Sequence, residues 1–141
     1  NGGYYIKPTI LKVSDESKVE KERILSRKIS QKLTDMLVSV VEDGTGSNAA
    51  VEHFIIAGKT STAQRVDESG GYKGYVSAFI GYPVNVEKRL VTLVYVDNPT
   101  EKGYYGNVVA APIFQKINKA ILFKNKSARS LNISFVSATI P

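Results

Sequence analysis

The stretch Ala57-Gly58-Lys59-Thr60-Ser61-Thr62-Ala63-Gln64 decides how this chain is read. It gathers one ammonium group and three hydroxyls into a single segment, directly after the apolar run His53-Phe54-Ile55-Ile56-Ala57. The polar residues directly after Lys59 show no i, i+3, i+4 recurrence of apolar residues, so the pattern predicts a pleated strand. Side chains alternate along a strand, which puts Lys59 and Ser61 on one face and Thr60 and Thr62 on the other. So much chemistry on one strand reads as a site rather than as core.

Two kinds of site carry a Gly-Lys-Thr. A phosphate-binding loop requires a glycine five residues before Gly58, and a helix opening at the Lys-Thr pair whose N–H groups cradle phosphate. Position 53 is His53 and no helical pattern follows, so both requirements fail. The other kind is a Lys-Thr-Gly type strand, on which the lysine lines a serine acyl-transfer site.

The surroundings choose between them. Upstream stands Val40-Val41-Glu42-Asp43-Gly44-Thr45-Gly46-Ser47-Asn48-Ala49-Ala50; downstream stand Ser77-Ala78-Phe79-Ile80-Gly81-Tyr82 and Tyr105-Gly106-Asn107-Val108-Val109-Ala110-Ala111-Pro112-Ile113-Phe114. In order and spacing, from about Asn1 to Phe123, these blocks resemble the last part of the transpeptidase domain of class B penicillin-binding proteins, the monofunctional peptidoglycan cross-linking enzymes. The resemblance implies an α+β fold, an antiparallel sheet covered by helices, as the C-terminal portion of the serine β-lactamase and penicillin-binding transpeptidase fold. It divides the chain into a domain portion, 1–123, and a tail, 124–141. The block from Tyr104 to Phe114 looks more like the cell-division branch than the elongation branch.

By the same resemblance Lys59 would lend positive potential beside a nucleophile and help steer its proton. Thr60 and Thr62 would hydrogen-bond the carboxylate of a stem peptide or a β-lactam, and the Thr62 N–H would be one oxyanion donor. Ser61 would line the same substrate site, where it departs from the family's more usual glycine and narrows the approach of the acyl group. Catalytic roles thus fall on Lys59 and Thr62, and substrate contacts on Thr60, Ser61 and Thr62. The family's nucleophile motif is Ser-x-x-Lys, with the lysine one helical turn from the serine. No serine here has a lysine three residues later, and that motif precedes the lysine strand in the family. The expectation is therefore a parent enzyme whose nucleophile lies in sequence not present here, and a chain inactive by itself. Ser130-Leu131-Asn132 and Tyr105-Gly106-Asn107 match the family's second motif, Ser-x-Asn or Tyr-x-Asn, by letters only, since both lie after the lysine strand.

The partners implied are peptidoglycan stem peptides, β-lactams, the N-terminal half of the same transpeptidase domain and membrane proteins of the division machinery, with no cofactor. The location implied is the periplasmic side of the bacterial inner membrane, with the anchor outside this chain. A rival from another class is a non-catalytic peptidoglycan-binding or scaffolding relative that kept the strand and lost the nucleophile; sequence upstream of Asn1 separates the two.

Composition agrees with one domain. The chain has 141 residues, 43% of them hydrophobic, as a globular protein requires. Nineteen Lys and Arg against thirteen Asp and Glu give a net charge of +6. The cations are scattered and not interleaved with aromatics, so the charge suits an anionic envelope rather than nucleic acid. There is no cysteine, hence no disulfide framework and no thiolate metal site, and the single histidine, His53, cannot build a metal site by itself. His53 itself reads as a strand residue rather than a base.

Around the key strand, Ile29, Leu33, Met36, Leu37, Val40 and Val41 recur at helical spacing, with Ser26 as N-cap and Gly44 as C-cap. The lone methionine of this helix reads as core. Strands are expected at about 53–66, 75–83 and 90–97, with short connections that predict an antiparallel meander. The run Leu90 to Val96 is apolar on both faces and is expected to be central. A last helix, about 108–123, is expected to carry Pro112 in its first turn and to bury Ile113, Phe114, Ile117 and Ile121. The charged stretch Asp15 to Arg23 reads as a solvated loop or helix start, and the tail alternates weakly through Leu131, Ile133 and Phe135.

Overall fold

The structure, a computed structural model, describes residues 1–130 other than 12, 16, 18, 68, 85, 88 and 102; the tail pattern at 131–135 lies outside the described residues. The chain runs β1 (Tyr4–Tyr5), β2 (Glu22–Arg23), α1 (Arg27–Glu42), a 3₁₀ turn (Ser47–Ala49), β3 (Ile56–Val66), β4 (Tyr72–Pro83), β5 (Thr92–Asp97) and α2 (Gly106–Ser130). β3, β4 and β5 form the expected antiparallel meander in that order, and β1 pairs with β2, so two residues of the charged stretch are strand. Ser26 caps α1 as expected, accepting from the Ile29 N–H at 3.2 Å. The C-cap is Asp43, with Gly44 following it.

Register fixes what each face of the sheet carries. Thr60 lies opposite Phe79, which in turn lies opposite Val94, and Gly58 lies opposite Gly81, so Gly58, Thr60 and Thr62 share a face with Ser77, Phe79 and Gly81. α2 covers this face. Phe79 and Phe114, both fully buried, meet edge to face at 4.7 Å between ring centroids. A Cβ on Gly58 would stand 2.5 Å from the Phe79 ring and one on Gly46 3.1 Å from it, so both glycines exist to let that ring approach. The core also takes Val41, Ile56, Val94, Ala110, Ala111 and Leu122.

Several expectations are corrected. β4, not the run Leu90 to Val96, is the central strand; β5 is an edge among the described residues, with Val94 buried but Val91, Leu93 and Tyr95 exposed. Apolar residues on both faces do call for two covering layers, and here only one face has its layer. α1 buries Val41 alone, leaving Ile29, Leu33 and Met36 exposed, so Met36 is not core. α2 begins at Gly106, which places Pro112 inside the helix, beyond the first turn. It buries Ala110, Ala111, Phe114, Asn118 and Leu122, whereas Ile113, Ile117 and Ile121 form a second, exposed stripe. Two apolar stripes at the same spacing cannot be ranked by periodicity alone. β3 starts at Ile56 because His53 adopts φ 67° in a tight turn closed by a Phe54 N–H to Val51 C=O bond of 3.0 Å. His53 is thus a turn residue, its ring 3.4 Å from the Glu52 carboxylate.

Candidate active site

Thr60, Ser61 and Thr62 stand on the edge strand β3, and the N-terminus of α2 is brought against them by two hydroxyls. The Thr62 hydroxyl accepts from the Gly106 N–H at 3.1 Å, and the buried Ser77 hydroxyl donates to the Tyr104 carbonyl just before it. Gly106 can sit this close only without a side chain, since a Cβ there would meet the Ala78 carbonyl oxygen at 2.5 Å and that of Ser61 at 2.9 Å. Asn107 then locks the helix end to the turn after α1. Its side-chain oxygen accepts from the Asn48 N–H at 3.0 Å, and the Asn48 side chain donates to its carbonyl at 2.9 Å. The Tyr105-Gly106-Asn107 letters therefore mark a helix start held on the sheet.

Lys59 lies on the other face, in a cross-strand row with Ile80 and Leu93. It is exposed, and its ammonium curls over the strand edge to donate to the Thr60 carbonyl at 3.2 Å and the Thr60 hydroxyl at 3.3 Å. Thr60 in turn lies 3.4 Å, hydroxyl to hydroxyl, from Thr45 in the turn that follows α1. Ser61 is exposed on the Lys59 face of the strand, outside the cleft that Thr60 and Thr62 line. Thr45, Thr60, Thr62, Tyr105, Gly106, Asn107 and Val108 line one cleft of about 350 Å³. Thr45 was not visible as a site residue in the sequence, where Gly44-Thr45-Gly46 reads as turn chemistry; only contact with Thr60 reveals it.

Beside the cleft three tyrosines stack. Tyr75 and Tyr104 are nearly parallel with centroids 3.8 Å apart, and Tyr105 lies 4.6 Å from Tyr104. The Tyr104 phenol is pushed up to about 12, first by its hydrogen bond to the Tyr105 hydroxyl and then by repulsion between the phenolates that ionisation would create. At the far end of the sheet, Arg65 and Asp97 pair at 2.7 Å across the central strand. Among the described residues no three His, Cys, Asp or Glu side chains group to hold a metal, and no helix is long and apolar enough to cross a membrane.

Chemically, this cleft offers hydroxyl donors, an adjacent ammonium and the positive end of a 25-residue helix with no acidic residue in its first turn. Such a set suits a carboxylate.

An antiparallel meander backed by its last helix is a fold this chain shares with a solved transpeptidase domain. The apo domain of Burkholderia pseudomallei penicillin-binding protein 3 superposes with a TM-score of 0.71 at 32% identity, over 94% of this chain and 39% of that one. Residues 1–119 match the penicillin binding protein transpeptidase domain, and the chain belongs to that family. Among curated proteins it is 37% identical over 129 residues to stage V sporulation protein D of Bacillus subtilis, covering 83% of this chain and 20% of that protein. It is 36% identical over 123 residues to a probable peptidoglycan D,D-transpeptidase PenA of Neisseria flavescens, covering 85% and 28%. The chain thus spans less than a third of the length of these two curated relatives.

Proposed function

We propose that residues 1–123 are the C-terminal portion of a D,D-transpeptidase that cross-links peptidoglycan in the bacterial cell envelope. A serine supplied by the N-terminal half of the same domain attacks the carbonyl between the two terminal D-alanines of a stem peptide. The terminal D-alanine leaves, and an amine of a neighbouring strand then takes the acyl group from the serine ester. Lys59 supplies positive potential at that serine, the N–H of Thr62 supports the oxyanion, and the strand hydroxyls hold the substrate carboxylate. β-Lactams acylate the same serine, and division proteins of the membrane are the natural partners of the assembled enzyme.

One observation carries the reading. Lys59 shares its sheet face with Ile80, Leu93 and Tyr95, all exposed, so the lysine stands at the rim of an uncovered apolar surface. Apolar area of this kind is stabilising only when another layer removes it from water. A layer laid there would bring its own side chains to the Lys59 ammonium, which is where a nucleophile must stand. The complete protein should therefore form one covalent adduct with a fluorescent penicillin, mapped by peptide mass to a serine outside this chain, and this chain alone should form none. Labelling of Ser61 or another serine here, or no labelling of the complete protein, contradicts the proposal; the latter would favour a non-catalytic relative.

A further inference from the structure

We propose that Thr45, in the turn after α1, is a specificity-determining residue that donates a hydrogen bond to the substrate carboxylate alongside Thr62. The inference rests on the transpeptidase reading and adds to it a residue outside the lysine strand.

An ammonium only donates, so the Thr60 hydroxyl oxygen, 3.3 Å from Lys59 Nζ, is an acceptor there. The proton of Thr60 is then turned away from Lys59, and the Thr45 oxygen at 3.4 Å is the acceptor in reach. With Thr45 accepting from Thr60, its own proton is left to point into the cleft it lines with Thr62, Gly106 and Asn107. Thr62 is arranged in the same sense: its oxygen accepts from the Gly106 N–H, which frees its proton for the cleft. Two hydroxyls from different elements, each accepting one hydrogen bond from the protein and keeping its own proton, are donors toward one space. A carboxylate takes several such bonds and no donor of its own is needed from it.

The placement of Thr45 is built into the fold. Asp43 N–H to Ser39 C=O at 3.0 Å and Gly46 N–H to Val40 C=O at 2.8 Å close the turn on the end of α1. Gly46 rests on the Phe79 ring, the same ring that lies against Gly58 of the lysine strand. One aromatic ring therefore sets the spacing between the turn and β3, and with it the approach of the two hydroxyls.

The test compares Thr45→Val and Thr45→Ser with the unaltered protein in the complete transpeptidase, using a thioester acyl donor with a free carboxylate and its methyl-amide counterpart. A hydrogen bond to a charged group is worth roughly tenfold or more in binding. Thr45→Val should raise KM for the carboxylate donor by about that factor, leave the acylation rate at saturation little changed, and leave the amide donor unaffected; Thr45→Ser should restore the carboxylate preference. Equal effects of Thr45→Val on both donors, or none on either, overturn the inference. Lys59→Ala run in parallel separates the two levels: slow acylation there with no donor discrimination at Thr45 defeats this proposal alone, whereas unchanged acylation by Lys59→Ala defeats the transpeptidase reading beneath it.

Discussion

Thr62 and Ser77 face each other across the β3–β4 ladder, and their hydroxyls grip the same short loop two residues apart, Ser77 at the Tyr104 carbonyl and Thr62 at the Gly106 N–H. A cross-strand pair thereby fixes the start of α2 on the strand that carries the site. Because Ser77 is buried, removing its hydroxyl leaves the Tyr104 carbonyl short of a donor, a cost of about 1–3 kcal/mol. In the complete protein Ser77→Ala should lower the urea midpoint accordingly without changing the slope. Combined with Thr62→Val the losses should be non-additive by about 0.5 kcal/mol or more, since both act on one loop. Simple additivity would show that the two grips are independent.

Gly58 and Phe79 give a second test. A methyl group on Gly58 collides with the ring, so Gly58→Ala should destabilise by about 1–3 kcal/mol by overpacking. Phe79→Ala removes the ring that supports both Gly58 and Gly46, with an expected loss of about 3–5 kcal/mol. Chemical denaturation of each variant decides, and a Gly58→Ala protein as stable as the parent would mean that the ring has room to move.

Tyr104 predicts a pH dependence. Its folded value of about 12 lies above the ordinary 10, so the folded state holds the phenol proton more tightly than the unfolded chain does. The stability this contributes is complete below about pH 10 and is lost as pH rises through about 12. Ultraviolet titration should show one tyrosine ionising last, and Tyr105→Phe should bring it back toward 10, since the hydrogen bond to Tyr105 is the largest cause. A titration unchanged by Tyr105→Phe would contradict the hydrogen bond between the two phenols.

The face shared by Lys59, Ile80 and Leu93 predicts association. The isolated chain should self-associate or bind an apolar dye, and Leu93→Lys should reduce both. A parent chain that stays monomeric at high concentration in sedimentation, with no dye binding, would mean that this face needs no covering layer.

The elements were legible in the sequence, and the uncovered faces were not. Lys59 and the alternation beyond it announced a strand, Ser26 a helix start, and the short polar connections a meander, because these signals are local. Periodicity marks which residues are apolar, but only the contacts decide which apolar stripe is buried, and so Ile117 and Met36 were expected in the core while Asn118 and Ala110 occupy it or its edge. Lys59, Thr60, Ser61 and Thr62 are the sequence's candidate site residues, and the structure brings Thr60 and Thr62 into the cleft while Lys59 and Ser61 lie on the opposite face of the strand. Thr45 was not among the candidates, since its approach to Thr60 depends on Gly46 and Gly58 sharing the Phe79 ring, a tertiary fact with no local signature.

The most direct test of the central claim, that the Lys59 strand serves an acyl-transfer site, is the β-lactam acylation rate of Lys59→Ala in the complete protein. Lys59 is exposed and, among the described residues, bonds only its own neighbour, so its loss should leave the melting temperature nearly unchanged. Removing one preorganised charge from the transition state costs about 2–4 kcal/mol, so acylation should slow at least tenfold. An acylation rate equal to that of the unaltered protein, at equal stability, would contradict the account.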